Sequence, residues 1–163
     1  MRLLHYLEIE NFKRFGDKQR IELDHPAVLI GPNNCGKTSA IQALALWSQA
    51  LKTWLDARKS SSARERPAIP LNRLSIVSVP VQRTRYLWHN TQVRTGNQDI
   101  PLVITVGVWW DNQLVPVAMS FRNQGDELVY CTPDLSIIRN MKLIEYAASI
   151  NVELLYPMSG LET

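Results

Sequence analysis

Gly31-Pro32-Asn33-Asn34-Cys35-Gly36-Lys37-Thr38-Ser39 is the stretch on which the fold reading turns. It fits G-x-x-x-x-G-K-[ST], the pattern of a P-loop. Glycines at its two ends allow a tight path and a close approach of backbone to ligand. Successive N–H groups can then point inward at a polyphosphate. In such a loop Lys37 places its ammonium on the β- and γ-phosphates, and the Thr38 hydroxyl holds Mg²⁺. Asn33, Asn34, Cys35, Gly36 and Ser39 contribute mainly backbone N–H groups. The helix that follows adds its free amides and positive dipole end.

Context supports the motif. Pro26-Ala27-Val28-Leu29-Ile30 is a short apolar run ending at Gly31, which predicts a buried strand. From Thr38 to about Arg58 the chain is rich in Ala, Leu and Gln. Ile41, Leu44, Ala45, Leu51 and Leu55 recur there at helical spacing, with Ser48 on the same face. Strand, loop and helix stand in the order a P-loop requires.

The rest of the chain bounds the answer. Its 163 residues are 45% hydrophobic and 20% charged, the balance of a globular domain with a real core. The net charge of +3 is mildly basic and does not by itself establish nucleic-acid binding. No apolar run approaches the length of a membrane span. Two cysteines make no disulfide framework, and a reduced, cytoplasmic setting is expected. His5, His25 and His89 have no metal-ligand spacing, so no zinc site is assigned.

Alternation over Leu3–Glu10 and Lys18–Leu23, around the turn Asn11-Phe12-Lys13-Arg14-Phe15-Gly16-Asp17, predicts a β-hairpin ahead of the P-loop strand. Alternating runs Leu102–Trp110, Leu114–Arg122 and Glu127–Cys131, separated by turn residues, predict an antiparallel meander. A helix over Leu135–Ser149 is expected, capped by Asp134 or Ser136, with Ile137, Ile138, Met141, Ile144 and Ala148 buried. A short final strand is expected over Asn151–Tyr156. Gln82–His89 mixes basic and aromatic residues, and packing is the better reading of Tyr86, Leu87 and Trp88 than nucleic-acid contact. Trp109-Trp110 reads the same way. The organisation predicted is one α/β domain: residues 1–58 hairpin, P-loop and helix, 59–73 a flexible loop, 74–133 an antiparallel β region, and 134–163 helix and final strand.

The hairpin segment Ile9-Glu10-Asn11-Phe12-Lys13-Arg14-Phe15, followed by Leu29-Ile30-Gly31 and the P-loop, resembles the N-terminal lobe of ABC-type ATPases of the SMC, RecF and OLD group. Those proteins open with a strand, an N-F-[KR] turn, a second strand and a G-x-N-x-x-G-K-[ST] loop. The resemblance is strong over residues 1–46 and architectural from there to 163. The tail Leu155–Leu161 is similar to the segment near that group's Q-loop. The resemblance implies ATP and Mg²⁺ as cofactors, and it implies that Lys13, matching the basic residue of the turn, approaches the nucleotide. It also implies an intact protein coupling ATP hydrolysis to DNA processing, repair or defence.

Three departures follow. Asn34 stands where many members have Gly, and Cys35 where they have a smaller residue. Asn tolerates positive φ, so the loop can still form. The third departure is larger. No run of four apolar residues ends in Asp-Glu, the sole such pair being Asp126-Glu127 in a turn. The family's signature motif is not recognisable either. An incomplete ABC-type ATPase domain is therefore expected, inactive alone, with Val28–Ile30 and Val152–Leu155 exposed and prone to self-association or to pairing with a chain that carries the missing motifs. Two other readings are a complete small P-loop kinase, to which a β-meander is a poor fit, and a non-catalytic P-loop interaction module.

Overall fold

A computed structural model describes residues 2–32, 35–60 and 67–155. The alternating runs pair into one antiparallel sheet of order β2-β1-β6-β7-β8-β3. Its strands are β1 (Leu4–Glu10), β2 (Gln19–Glu22), β3 (Ile69–Asn72), β6 (Leu102–Trp110), β7 (Gln113–Asn123) and β8 (Leu128–Pro133). A separate two-residue ribbon joins β4 (Arg94–Thr95) to β5 (Gln98–Asp99). The expected hairpin is β1–β2, in register Leu7↔Ile21, and the expected meander is β6–β7–β8.

Alternation sets the faces. Leu7 and Ile9, then Leu102, Ile104, Val106 and Val108, then Val117, Met119 and Phe121 all enter one buried core. Helix α1 (Lys37–Lys59) lies on that face with α2 (Met141–Ser149) beside it. Two tryptophans of α1 fix it there. The Trp47 indole N–H donates to the Val117 carbonyl at 2.9 Å, and that of Trp54 to the Pro67 carbonyl at 2.7 Å. On the other face the Tyr6 ring lies over Gly107, where a Cβ would come within 2.3 Å of it, and the Arg20 guanidinium caps the ring at 3.8 Å. Only glycine fits under that ring.

Several expectations are corrected. Residues 26–30 form no strand, and Val28 and Ile30 are 75% and 90% exposed. An apolar run is buried only if a neighbour offers it hydrogen bonds, and among the described residues none pairs with it. The exposure expected of these residues is thus present, as it is at Leu155. Residues 151–155 likewise form no strand, and Tyr156 onward lies outside the described residues. The second helix begins at Met141, not Leu135. Asn140 is its cap, accepting from the Leu143 N–H at 3.1 Å, while the Asp134 carboxylate accepts from Ser136 N–H in a turn before it. Hydrogen bonding from the Ser136 side chain, and after it from the Ser136 N–H, holds the Asp134 carboxyl below the usual carboxylate range. The buried stripe of this helix is Leu143, Ile144, Ala147 and Ala148, so Met141 and Ile138 are only partly covered. Within the segment expected as a loop, 59–73, Ile69–Asn72 is edge strand β3, paired to β8 in register Leu71↔Val129. On α1 the core face is carried by Ala43, Leu46, Trp47, Ala50 and Trp54 beside Leu51, and Ile41 faces solvent.

Candidate functional site

The site is assembled where the hairpin turn meets the start of α1. The turn is tight: Asn11 N–H donates to the Gly16 carbonyl at 2.8 Å and Phe15 N–H to the Phe12 carbonyl at 2.8 Å. Asn11 and Lys13 adopt positive φ of 58° and 47°, which Asn supports readily and Lys rarely. Burial of Phe12 and Phe15 on either side of Lys13 holds the turn in this shape. Lys13 N–H donates to the Leu87 carbonyl at 2.9 Å.

Gly36 joins loop to helix with φ of 103°. A Cβ there would meet the Phe15 ring at 3.1 and 3.3 Å. A Cβ on Gly31 would meet the Cys35 sulfur at 2.7 Å. Gly36 is therefore required by shape and by φ, and Gly31 by the close approach of the Cys35 side chain. The first helical hydrogen bond runs from Ala40 N–H to the Gly36 carbonyl at 2.8 Å, so the amides of Lys37, Thr38 and Ser39 precede it. The first turn carries no acidic residue and no side-chain cap, which leaves the N-terminus free for an anion.

A cleft of about 260 Å³ opens at this end of α1, lined by Lys13, Arg14, Gly36, Lys37, Thr38, Ser39 and Gln42. The Lys13 ammonium donates to the Gln42 Oε1 at 2.7 Å, tying the turn to α1. Burial lowers its pKa from the ordinary 10.5. The Lys37 ammonium folds back onto the Gly31 carbonyl, spanning the loop. Thr38 is exposed and Ser39 buried, and both line the cleft. The Cys35 thiol is exposed. Of the residues expected at the site, Lys13, Gly36, Lys37, Thr38 and Ser39 line this one cleft, Cys35 flanks it, and Asn33 and Asn34 lie outside the described residues.

Among the described residues the lining carries three cations and no carboxylate. Such a cleft attracts a polyanion. Among the described residues no cluster of His, Cys, Asp or Glu could hold a metal alone, so Mg²⁺ would need Thr38 together with phosphate oxygens. That donor set is what a phosphate-borne Mg²⁺ uses. Gln42, which holds Lys13 in place, was not singled out from sequence. Its position three residues after Ser39 puts it one turn deeper on the same face of the helix. A larger cleft of about 1040 Å³ lies far along α1, between Arg58, Pro67 and Leu135, and shares no residue with the P-loop.

No helix among the described residues is long and apolar enough to cross a membrane. The search of curated proteins returned no match for the chain. The AAA ATPase domain family matches residues 2–98, which span the hairpin, the P-loop, α1 and the turns that close over Lys13. The chain belongs to the AAA ATPase domain family, whose members bind ATP.

Proposed function

We propose that this chain is the Mg²⁺·ATP-binding lobe of an SMC/RecF/OLD-like ATPase. The observation that carries the reading is the cleft itself: Lys13, Arg14 and Lys37 converge on a helix N-terminus reached through a left-handed glycine. Released from the Gly31 carbonyl, the Lys37 ammonium reaches the β- and γ-phosphates. The amides of Lys37 to Ser39 take the phosphate oxygens, with Asn33, Asn34 and Gly36 adding backbone N–H groups and Cys35 doing so once its N–H leaves the Pro32 carbonyl, to which it donates at 3.3 Å. Thr38 would ligate Mg²⁺, which supplies neutralisation of phosphate charge. Lys13 adds a partly desolvated ammonium whose attraction for an anion is strengthened by its burial.

With no carboxylate in the cleft, activation of the attacking water falls to residues elsewhere, in a C-terminal region or in a second chain carrying the family's Asp-Glu and signature motifs. The reading extends to an intact cytoplasmic protein that couples ATP hydrolysis to DNA processing, repair or defence. Its two free cysteines fit a reducing compartment. The exposed Val28 and Ile30 support assembly with a further strand, from another copy or from such a partner. Replacing both by Ser should abolish concentration-dependent association in light scattering without lowering the melting temperature. Association unchanged by the pair would remove that surface from the account.

The test of the main reading pairs two assays on one preparation. ATP should bind in a Mg²⁺-dependent manner weakened by Thr38→Val, while phosphate release stays near background. Turnover at an enzyme's rate by this chain alone would contradict the division of labour. Phosphoryl transfer to an added acceptor would favour a small kinase instead, against which the antiparallel sheet argues.

A further inference from the structure

Beside the phosphate cleft lies a second one, of about 340 Å³. It shares Lys13, Arg14 and Ser39 with the first, and its remaining walls include Tyr86, His89 and Asn90. The two are therefore neighbours along one groove, and Ser39 orders them. Ser39, the residue after Lys37 and Thr38, lines both clefts and so joins the helix N-terminus to the second one.

The chemistry changes at that point. Tyr86 keeps its ring 43% exposed between Arg85 and the buried Leu87 and Trp88. The exposed Arg14 forms no ion pair or hydrogen bond among the described residues, and the side chains of Tyr86, Asn90 and Thr91 form no hydrogen bond there either. The turn that presents them is strained. Asn90 and Thr91 stand at φ of 51° and 56°, and a β-branched residue rarely adopts positive φ. It is nevertheless firmly held. His89 N–H donates to the Asn11 carbonyl at 3.1 Å, the His89 Nδ1 donates to the Lys13 carbonyl at 2.6 Å, and the Trp88 indole donates to the Ile100 carbonyl at 2.7 Å. Gly16 leaves room for the imidazole, since a Cβ there would approach it to 3.0 Å. An aromatic face, a free guanidinium and two unengaged polar side chains are thus fixed beside the phosphate cradle.

We propose that this second cleft takes the nucleoside half of a purine nucleoside triphosphate, with the base on the Tyr86 ring, the Arg14 guanidinium alongside it, and the ribose hydroxyls at Asn90 and Thr91. This rests on the phosphate reading of the first cleft. A purine offers a flat π-face to an aromatic ring and to a guanidinium. The ribose hydroxyls suit the amide and hydroxyl.

Titration of the full chain with Mg²⁺·ATP and, separately, with Mg²⁺ and inorganic tripolyphosphate separates the two halves. Wild type should bind ATP more tightly than tripolyphosphate. Tyr86→Ala should lose about ten-fold for ATP, the worth of one base–aromatic stack, and nothing for tripolyphosphate. Tyr86→Phe, which keeps the ring, should retain ATP affinity, and Lys37→Ala should lose both ligands. Unchanged ATP affinity in Tyr86→Ala would overturn the nucleoside assignment and leave the phosphate cradle standing. So would equal loss of both ligands in Tyr86→Ala. A wild type that binds neither ligand would overturn the phosphate reading and this one with it.

Discussion

Replacing Gly36 by Ala tests the joint on which the site depends. The φ of 103° at this residue lies where L-side chains are strained, at a cost of about 1–2 kcal/mol. The new methyl would also sit 3.1 and 3.3 Å from two atoms of the Phe15 ring and 3.7 Å from the Arg14 Cβ. Carbon atoms prefer about 3.5–4.0 Å, so the ring must retreat by a few tenths of an ångström. Phe15 is packed into the core and cannot retreat freely. Alanine recovers about 0.4–1 kcal/mol by reducing the freedom of the unfolded chain. With about 1 kcal/mol added for the overpacked contact, the net cost is about 2 kcal/mol, or a fall of roughly 4–8 °C in melting temperature for a chain of this size. Gly36→Asn tolerates positive φ better but keeps the Cβ contact, so it should cost about half as much. Differential scanning calorimetry of the three proteins gives the comparison. A melting temperature within about a degree of wild type for Gly36→Ala would mean that the loop does not enter α1 through a left-handed residue against Phe15.

Other outcomes follow from single features. Trp47→Phe removes the indole donor to the buried Val117 carbonyl and should cost about 2 kcal/mol, read from the urea midpoint at unchanged slope. Burial pushes the Cys131 thiol up to about 12, whereas Cys35 is exposed, so a thiol reagent at neutral pH should modify Cys35 promptly and Cys131 only after denaturation, as peptide mapping would show. For Lys13 the sign is set by desolvation. Its folded pKa lies below the unfolded 10.5, so its charged form costs stability at low pH, and that cost is relieved as pH rises through the folded pKa. An anion in the cleft draws the pKa back up. ATP binding at alkaline pH should therefore take up protons, measured across buffers of different ionisation heat, and Lys13→Met should abolish the uptake.

Much of this was legible in local pattern. Period-two alternation gave β1, β6, β7 and β8, and the P-loop spacing placed α1 to within a residue at each end. What pattern cannot supply is a partner. The run Pro26–Ile30 is as apolar as a core strand, yet it lies unpaired at the surface. Conversely, Ile69-Pro70-Leu71-Asn72 carries a proline and follows a polar loop, yet it completes the sheet edge because β8 offers it a ladder. The helix starts at Met141 and not before it because Asp134 forms a local turn with Ser136 that competes with a helical start. At the site, the residue types were readable but not their mutual support. Phe15 against Gly36, Gln42 on Lys13 and His89 under Lys13 are long-range contacts with no spacing signature. The aromatic stretch Gln82–His89 divides as packing would have it for Leu87 and Trp88, while Tyr86 remains at the surface beside the site.

The central claim is that the loop from Gly31 to Ser39 cradles a nucleotide's phosphates. Titration calorimetry of wild type and Lys37→Ala with Mg²⁺·ATP tests it most directly. Lys37 is only partly buried and, among the described residues, its ammonium bonds to the Gly31 carbonyl alone, so the variant should fold normally. The account predicts saturable binding to wild type and a loss of at least about ten-fold in the variant, as befits the removal of a charge-assisted phosphate contact. Equal affinity in the two proteins would contradict it.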